Sequence, residues 1–173
     1  MEPAAGISIR TETEADQEAV HVLLVAAFGG LDEASLVDDL RAGSDVVAAL
    51  VACRGAEVVG HVLFSALPAR IGGRRVPSVA LAPLAVREEE RRQGIGARLI
   101  EEGLKRCRDA GYDLAVVLGD PAYYARFGFS SEAATRLTSV FSCPHLQALE
   151  LRTGALGDGH GTLVYAAPFV RFA

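Results

Sequence analysis

The chain has 173 residues, half of them apolar, with 22 acidic against 17 basic side chains and a net charge of -5. That length can bury a core of its own, and the composition excludes a disordered polymer. The acidic balance speaks against a nucleic-acid partner, which would call for a basic patch.

From the first residues on, apolar and polar side chains alternate over Ile7 to Arg10, as in a half-buried strand. Thr13 then precedes an acidic turn (Glu14, Asp16) and an apolar face at Val20, Leu23, Leu24 and Ala27, which predicts a capped amphipathic helix ending at Gly29-Gly30. A second helix is expected from Asp32 to Arg41, with Leu36, Val37 and Leu40 inward and Gly43 closing it. Val46 to Arg54 and Glu57 to Leu67 flank Gly55-Ala56 and read as a hairpin. Gly72-Gly73 marks another turn before a strand from Val76 to Val86, which completes an antiparallel meander.

After Val86 a polar loop, Arg87 to Gln93, enters Gly94-Ile95-Gly96 and then a helix with Leu99, Ile100, Leu104 and Cys107 on one side. Gly111 ends that helix, and Leu114 to Leu118 is a continuous apolar run, the mark of a strand covered on both faces. Strand, helix, strand predicts a right-handed parallel crossover within one sheet. A short helix over Pro121 to Phe127 follows, then weaker strands at Leu149 to Leu151 and Leu163 to Ala166. The expected architecture is a single α/β (α+β) domain spanning 1–173. It has one mixed sheet, antiparallel at first and parallel at its centre, with helices on both faces.

The N-terminus lacks a basic-then-apolar signal pattern, and no apolar run is long enough to span a membrane. Cys53, Cys107 and Cys143 are odd in number and far apart, so no disulfide framework is expected. No metal site is expected either: Cys143 and His145 are neighbours, but further ligands are missing. The cytoplasm is the default compartment.

Arg91-Arg92-Gln93-Gly94-Ile95-Gly96 carries the strongest chemical signal. Glycine lets a ligand approach the backbone closely, and the first N–H groups of the helix that starts here have no partners within it. Together with the positive end of the helix dipole they form an anion site, to which Arg91 and Arg92 add charge. A Walker A loop is excluded because no lysine is near. A dinucleotide fingerprint finds Gly94 and Gly96 but meets Leu99 where its third glycine belongs, although Asp120 can play the ribose-binding acid.

The same loop resembles the acyl-CoA signature Q/R-x-x-G-x-G/A of the GNAT superfamily at Arg91, Gly94 and Gly96. Downstream, Tyr123-Tyr124-Ala125-Arg126-Phe127-Gly128-Phe129 is similar to that family's short helix ending in tyrosine and Gly-Phe. The resemblance runs from the first strand to about Phe129 and implies an N-acetyltransferase with acetyl-CoA as co-substrate, moving acetyl directly to the primary amine of an acceptor. It further implies that the main chain of Leu84, Ala85 and Val86 pairs with pantetheine, and that Arg91 to Ala97 hold the diphosphate. Tyr124, by its place before Gly128-Phe129, would be the acid for the leaving sulfur, with Tyr123 as the fallback. Pro83 belongs at a bulge or edge where pairing stops.

The family often places a glutamate on the strand before the loop, but Ser78 to Pro83 contain no carboxylate. Glu88, Glu89 and Glu90 read as a solvated run, His61 is a strand histidine that can face the cleft, and the general base stays unassigned. Asp32, Glu33, Asp38 and Asp39 either favour a cationic amine or are helix-surface charge. A non-catalytic acyl-CoA-binding module is the alternative from another class, with a nicotinamide-dependent oxidoreductase behind it. A homodimer is an expectation at the level of the family only.

Overall fold

The computed structural model describes residues 5–173; residues 1–4 of the expected 1–173 span lie outside the described residues. Strand β1 (Ile7–Thr11) pairs antiparallel with β2 (Val46–Arg54), which turns through Gly55-Ala56 into β3 (Glu57–Ala66). Between β1 and β2 lie helices α1 (Gln17–Phe28) and α2 (Asp32–Ala42). The turn into α1 is fixed by Asp16, whose carboxylate accepts from Arg10 at 2.7 and 2.9 Å and from the Thr13 amide and hydroxyl at 2.7 and 3.0 Å. Those four donors hold the Asp16 carboxyl well below the usual range, with Arg10 the main cause.

The predicted strand from Val76 to Val86 is two elements. β4 (Ala69–Ile71) and β5 (Arg74–Val76) form a small hairpin at Gly72-Gly73, and β6 (Ser78–Val86) enters the main sheet beside β3. Pro77 lies at the break, where its missing N–H cannot continue a ladder. Helix α3 (Ile95–Asp109) then crosses to β7 (Leu114–Leu118), which runs parallel to β6. Short helices α4 (Pro121–Tyr124) and α5 (Ser131–Ala134) precede β8 (Leu137–Thr138), β9 (Leu146–Glu150) and β10 (Gly161–Leu163).

The main sheet has the order β1-β2-β3-β6-β7-β9, with β6–β7 its parallel pair. The mixed sheet and its central crossover are those expected; a second sheet, β5-β4-β10-β8, is not. It corrects the expectation of one sheet, and its cause is non-local. Gly161–Leu163 and Leu137–Thr138, too short to signal as strands alone, pair with each other, and Gly161–Leu163 also pairs with the β4 edge.

Helices cover both faces. On one, α3 buries Ile95, Leu99, Ile100, Leu104 and Cys107 against Val59, Val62 and Phe64. Gly103 makes this possible: a Cβ there would lie 2.1 Å from the Phe64 ring. On the other, α1 and α2 bury Val20, Leu23, Leu24, Leu36, Val37 and Leu40, and the C-terminal segment adds Phe169. Each such aliphatic side chain contributes about 1.5–3 kcal/mol by leaving water, so the sheet is clamped from both sides.

Candidate active site

The two central strands part company before they end. β6 pairs with β7 from Ser78↔Leu114 to Leu81↔Val117, then runs on to Val86 with only β3 beside it. The parting coincides with a bulge: Val62 faces Leu84 and Phe64 faces Leu81, so Ala82 and Pro83 share one position of β3. The main chain of Leu84 to Val86 therefore has no strand partner on the side turned toward β7, where only the Val86 carbonyl is engaged, by Arg91.

Two adjoining cavities open at this fork. The first is a groove walled by Leu84, Ala85, Val86, Arg91, Arg92 and Gly94 to Ala97, with Tyr123 and Arg126 opposite. Left-handed backbone at Arg92 (φ 65°) and Gly94 (φ 79°) turns the chain from the loop into α3. No side chain caps α3, so the first-turn N–H groups of Ile95, Gly96 and Ala97 are left for a ligand. Gly96 keeps this mouth open, since a Cβ there would meet the Tyr123 hydroxyl at 3.0 Å. Arg126, whose guanidinium sits 5.2 Å over the Tyr123 ring and 5.6 Å over that of Phe127, brings a third cation to the groove.

Gln93 is the one member of the expected binding loop that does not wall the groove. Its amide donates to Glu90 Oε2 at 3.3 Å, and Glu90 is itself gripped by Arg54 through a bidentate pair of 2.8 and 2.7 Å. Arg54 holds the Glu90 carboxyl below its ordinary value. So Glu90, read from sequence as part of a solvated run, clasps the loop to the β2–β3 hairpin. Arg91 adds a second tie, donating from Nε to the Val86 carbonyl at 3.0 Å.

The second cavity, about 280 Å³, lies on the other side of the fork. Ala80 to Leu84 and Val116 to Leu118 form its floor. Phe28, Leu36, Phe141, Tyr165 and Phe169 supply apolar walls, and among the described residues Glu33 is its one charged lining residue. Phe28 and Leu84 border both cavities, so the two communicate there.

Tyr123 and Tyr124 are assigned to different cavities: Tyr123 faces the groove and Tyr124 the cleft. The Tyr124 ring packs where a Cβ on Gly119 would be 2.6 Å away, and stacks edge-on with Phe129 at 5.8 Å. Burial pushes its hydroxyl up to about 12, so it is protonated across the neutral range. Among the described residues the hydroxyl has no hydrogen-bond partner.

His61 walls neither cavity. It is fully buried under α1 and α2, with Nε2 a loose 3.4 Å from Glu12 Oε1, and Arg41 grips the same carboxylate. Burial disfavours the Glu12 carboxylate, but His61 and Arg41 outweigh it and keep the group below its ordinary value. Among the described residues no group of three or more His, Cys, Asp or Glu side chains is arranged to hold a metal ion.

The chain is similar to known proteins in sequence and fold. The family described as "Acetyltransferase (GNAT) domain" matches residues 8–131. The uncharacterised N-acetyltransferase YhbS of Escherichia coli (strain K12) is 37% identical over 167 residues, 95% of this chain and 99% of that protein. A solved structure of Escherichia coli YhbS in complex with CoA superimposes with a TM-score of 0.89 at 36% identity, covering all of this chain and 97% of that one. A GNAT family acetyltransferase from Brucella melitensis, in complex with acetyl-CoA, matches with a TM-score of 0.76 at 33% identity over 94% of this chain and 97% of its own.

Proposed function

The chain belongs to the GNAT acetyltransferase family, and from that premise we propose that residues 1–173 act as one N-acetyltransferase domain, carrying acetyl from acetyl-CoA directly to a primary amine. The observation that carries this reading is the early end of the β6–β7 ladder, which leaves Leu84 to Val86 with unused main-chain groups beside a basic, glycine-mouthed groove. The pantetheine arm lies along Leu84, Ala85 and Val86 as a substitute strand, and each amide bond it makes contributes about 0.5–1.5 kcal/mol. The diphosphate sits at the N-terminus of α3, on the N–H groups of Ile95, Gly96 and Ala97, with Arg91, Arg92 and Arg126 around it. The Gln93 side chain holds the loop's shape through Glu90.

When bound, the thioester supplies an activated acetyl group. Tyr124 donates a hydrogen bond to the sulfur as negative charge gathers there. With its hydroxyl raised to about 12, full proton transfer to an ordinary thiolate would be uphill by about 5 kcal/mol. Tyr124 therefore stabilises the departing charge, and solvent completes the protonation. The bond from the amine nitrogen to the acetyl carbon forms as the carbon–sulfur bond breaks, and the nitrogen loses its proton to water entering through the cleft.

No described helix is long and apolar enough to cross a membrane, and all three cysteines are free. Free thiols support a reducing compartment, and the cytoplasm is our assignment. Calorimetry with CoA and acetyl-CoA tests the groove, and heat is expected with both. No heat with either overturns the reading. Thiol release from acetyl-CoA across an amine panel then separates the enzyme from a binding module, which would bind without release.

A further inference from the structure

The cleft beyond the fork has a one-sided chemistry. Its walls are aromatic and aliphatic, drawn from the end of α1, from α2 and from the C-terminal segment. Phe141, Tyr165 and Phe169 form a chain of edge-on contacts at 4.8 and 5.2 Å, so this wall is packed and preformed. Burial pushes the Tyr165 hydroxyl up. Among the described residues no lysine, arginine or histidine lines the cleft, which disfavours an acceptor bearing phosphate or carboxylate.

Against that surface stands one carboxylate. The sequence offers four acids on α2, and the structure separates them. Asp38 pairs with Arg41 at 2.9 Å and His21 at 3.5 Å, and Asp39 is taken by Arg171. Asp32 does not line the cleft. Glu33, half-buried in the first turn of α2, lines it and has no ion-pair or hydrogen-bond partner among the described residues.

We infer that the acceptor is a primary monoamine on a compact hydrophobic body, with its nitrogen held by Glu33 and its apolar part packed against Phe141, Tyr165 and Phe169. This rests on the acetyltransferase reading above and names the acceptor for the same fork. Glu33 accepts a hydrogen bond from the amine and faces the positive charge that nitrogen acquires when it attacks the acetyl carbon, so it acts most strongly in the transition state. A single carboxylate cannot neutralise a polyamine, whose remaining charges would be stranded on the aromatic wall. A peptide strand finds few polar partners there. A cavity of about 280 Å³ accepts a small molecule and little more.

The test uses the full chain with acetyl-CoA and measures thiol release with phenethylamine, hexylamine, spermidine and a lysine-containing peptide. The two hydrophobic monoamines are expected to exceed spermidine and the peptide in kcat/KM by about a hundredfold, the size of one charge-assisted contact plus a filled apolar pocket. Glu33→Gln should lower kcat/KM for phenethylamine by about tenfold or more, Glu33→Asp should recover part of it, and calorimetric affinity for acetyl-CoA should be kept as proof of folding. Preference for spermidine or peptide, unchanged kinetics in Glu33→Gln, or acetyl-CoA binding without transfer to any of the four amines overturns the assignment and leaves the groove intact. Faster transfer from hexanoyl-CoA than from acetyl-CoA also overturns it, because the cleft would then house the acyl chain. No heat with acetyl-CoA brings down the groove reading and this one together.

Discussion

The groove and the cleft meet at Phe28 and Leu84 yet are made in opposite ways. The groove is built from one nearly continuous stretch, Leu84 to Ala97, and offers mostly backbone: free edges on β6, unpaired N–H groups on α3, and the missing Cβ of Gly96. The cleft takes its walls from α1, α2, β6, β7 and the segments around Phe141 and Tyr165 to Phe172, and offers almost only side chains. A main-chain site reads features common to every ligand bearing the same handle, whereas a side-chain site is rewritten by single substitutions. Such a division lets one cofactor serve many acceptors.

That contrast predicts where substitutions matter. Gly96→Leu places a side chain in the mouth of α3 and should weaken acetyl-CoA binding by about a hundredfold, the loss of several charge-assisted bonds, with the thermal transition retained. Titration calorimetry beside a melting curve decides it, and undiminished affinity would mean the diphosphate lies elsewhere. Next in size, Tyr124→Phe should cut kcat by about 10- to 100-fold with acetyl-CoA affinity nearly unchanged, as befits a donor that acts on developing charge; a pure cofactor-binding defect would move Tyr124 to the groove's account. Because Tyr124 keeps its proton up to about 12, kcat/KM should climb with pH as the free amine forms. It should not turn down near the ordinary tyrosine value of about 10, and stopped-time assays across alkaline buffers would show a descending limb if the hydroxyl ionised there.

Smaller effects sharpen the distinction. Glu90→Gln unties the clasp from Arg54 and should weaken acetyl-CoA by about three- to tenfold without touching kcat, since a loosened loop must be ordered on binding. Leu84→Val alters a side chain where only the main chain is asked to pair, so acetyl-CoA affinity should change by no more than about twofold, within the usual scatter for surface exchanges. A large loss at Leu84 would break the contrast between the two cavities.

What could be read before folding follows the same division. The turn from Arg91 to Gly96 into α3 was legible because its glycines, charges and following helix lie within a few residues. The two tyrosines were legible as a pair, since adjacent helical positions point in different directions, and the fold sends one to each cavity. Glu90 was misjudged as solvated because its partner, Arg54, is 36 residues away at a hairpin end. The direction of the Gln93 side chain was not legible, because sequence shows adjacency and not direction; its amide turns back to Glu90. His61 could not be placed until Glu12 and Arg41 were seen over it. The small sheet escaped for the same reason, since three-residue Gly161–Leu163 becomes a strand only through partners far along the chain.

The fork between β6 and β7 leaves the protein with a raw strand margin in the middle of its sheet, where β6 outruns its partner. Exposed margins ordinarily invite a stray chain to dock and begin aggregation. This one is short and sheltered: it lies between the apex at Leu81 and Val117, where Ala82-Pro83 bulges from the ladder, and the loop that leads to α3. An intruding polypeptide would run out of room at the apex, while a slender, flexible arm can lie along it. The wedge shape thus admits its proper guest and turns away the one that would be ruinous.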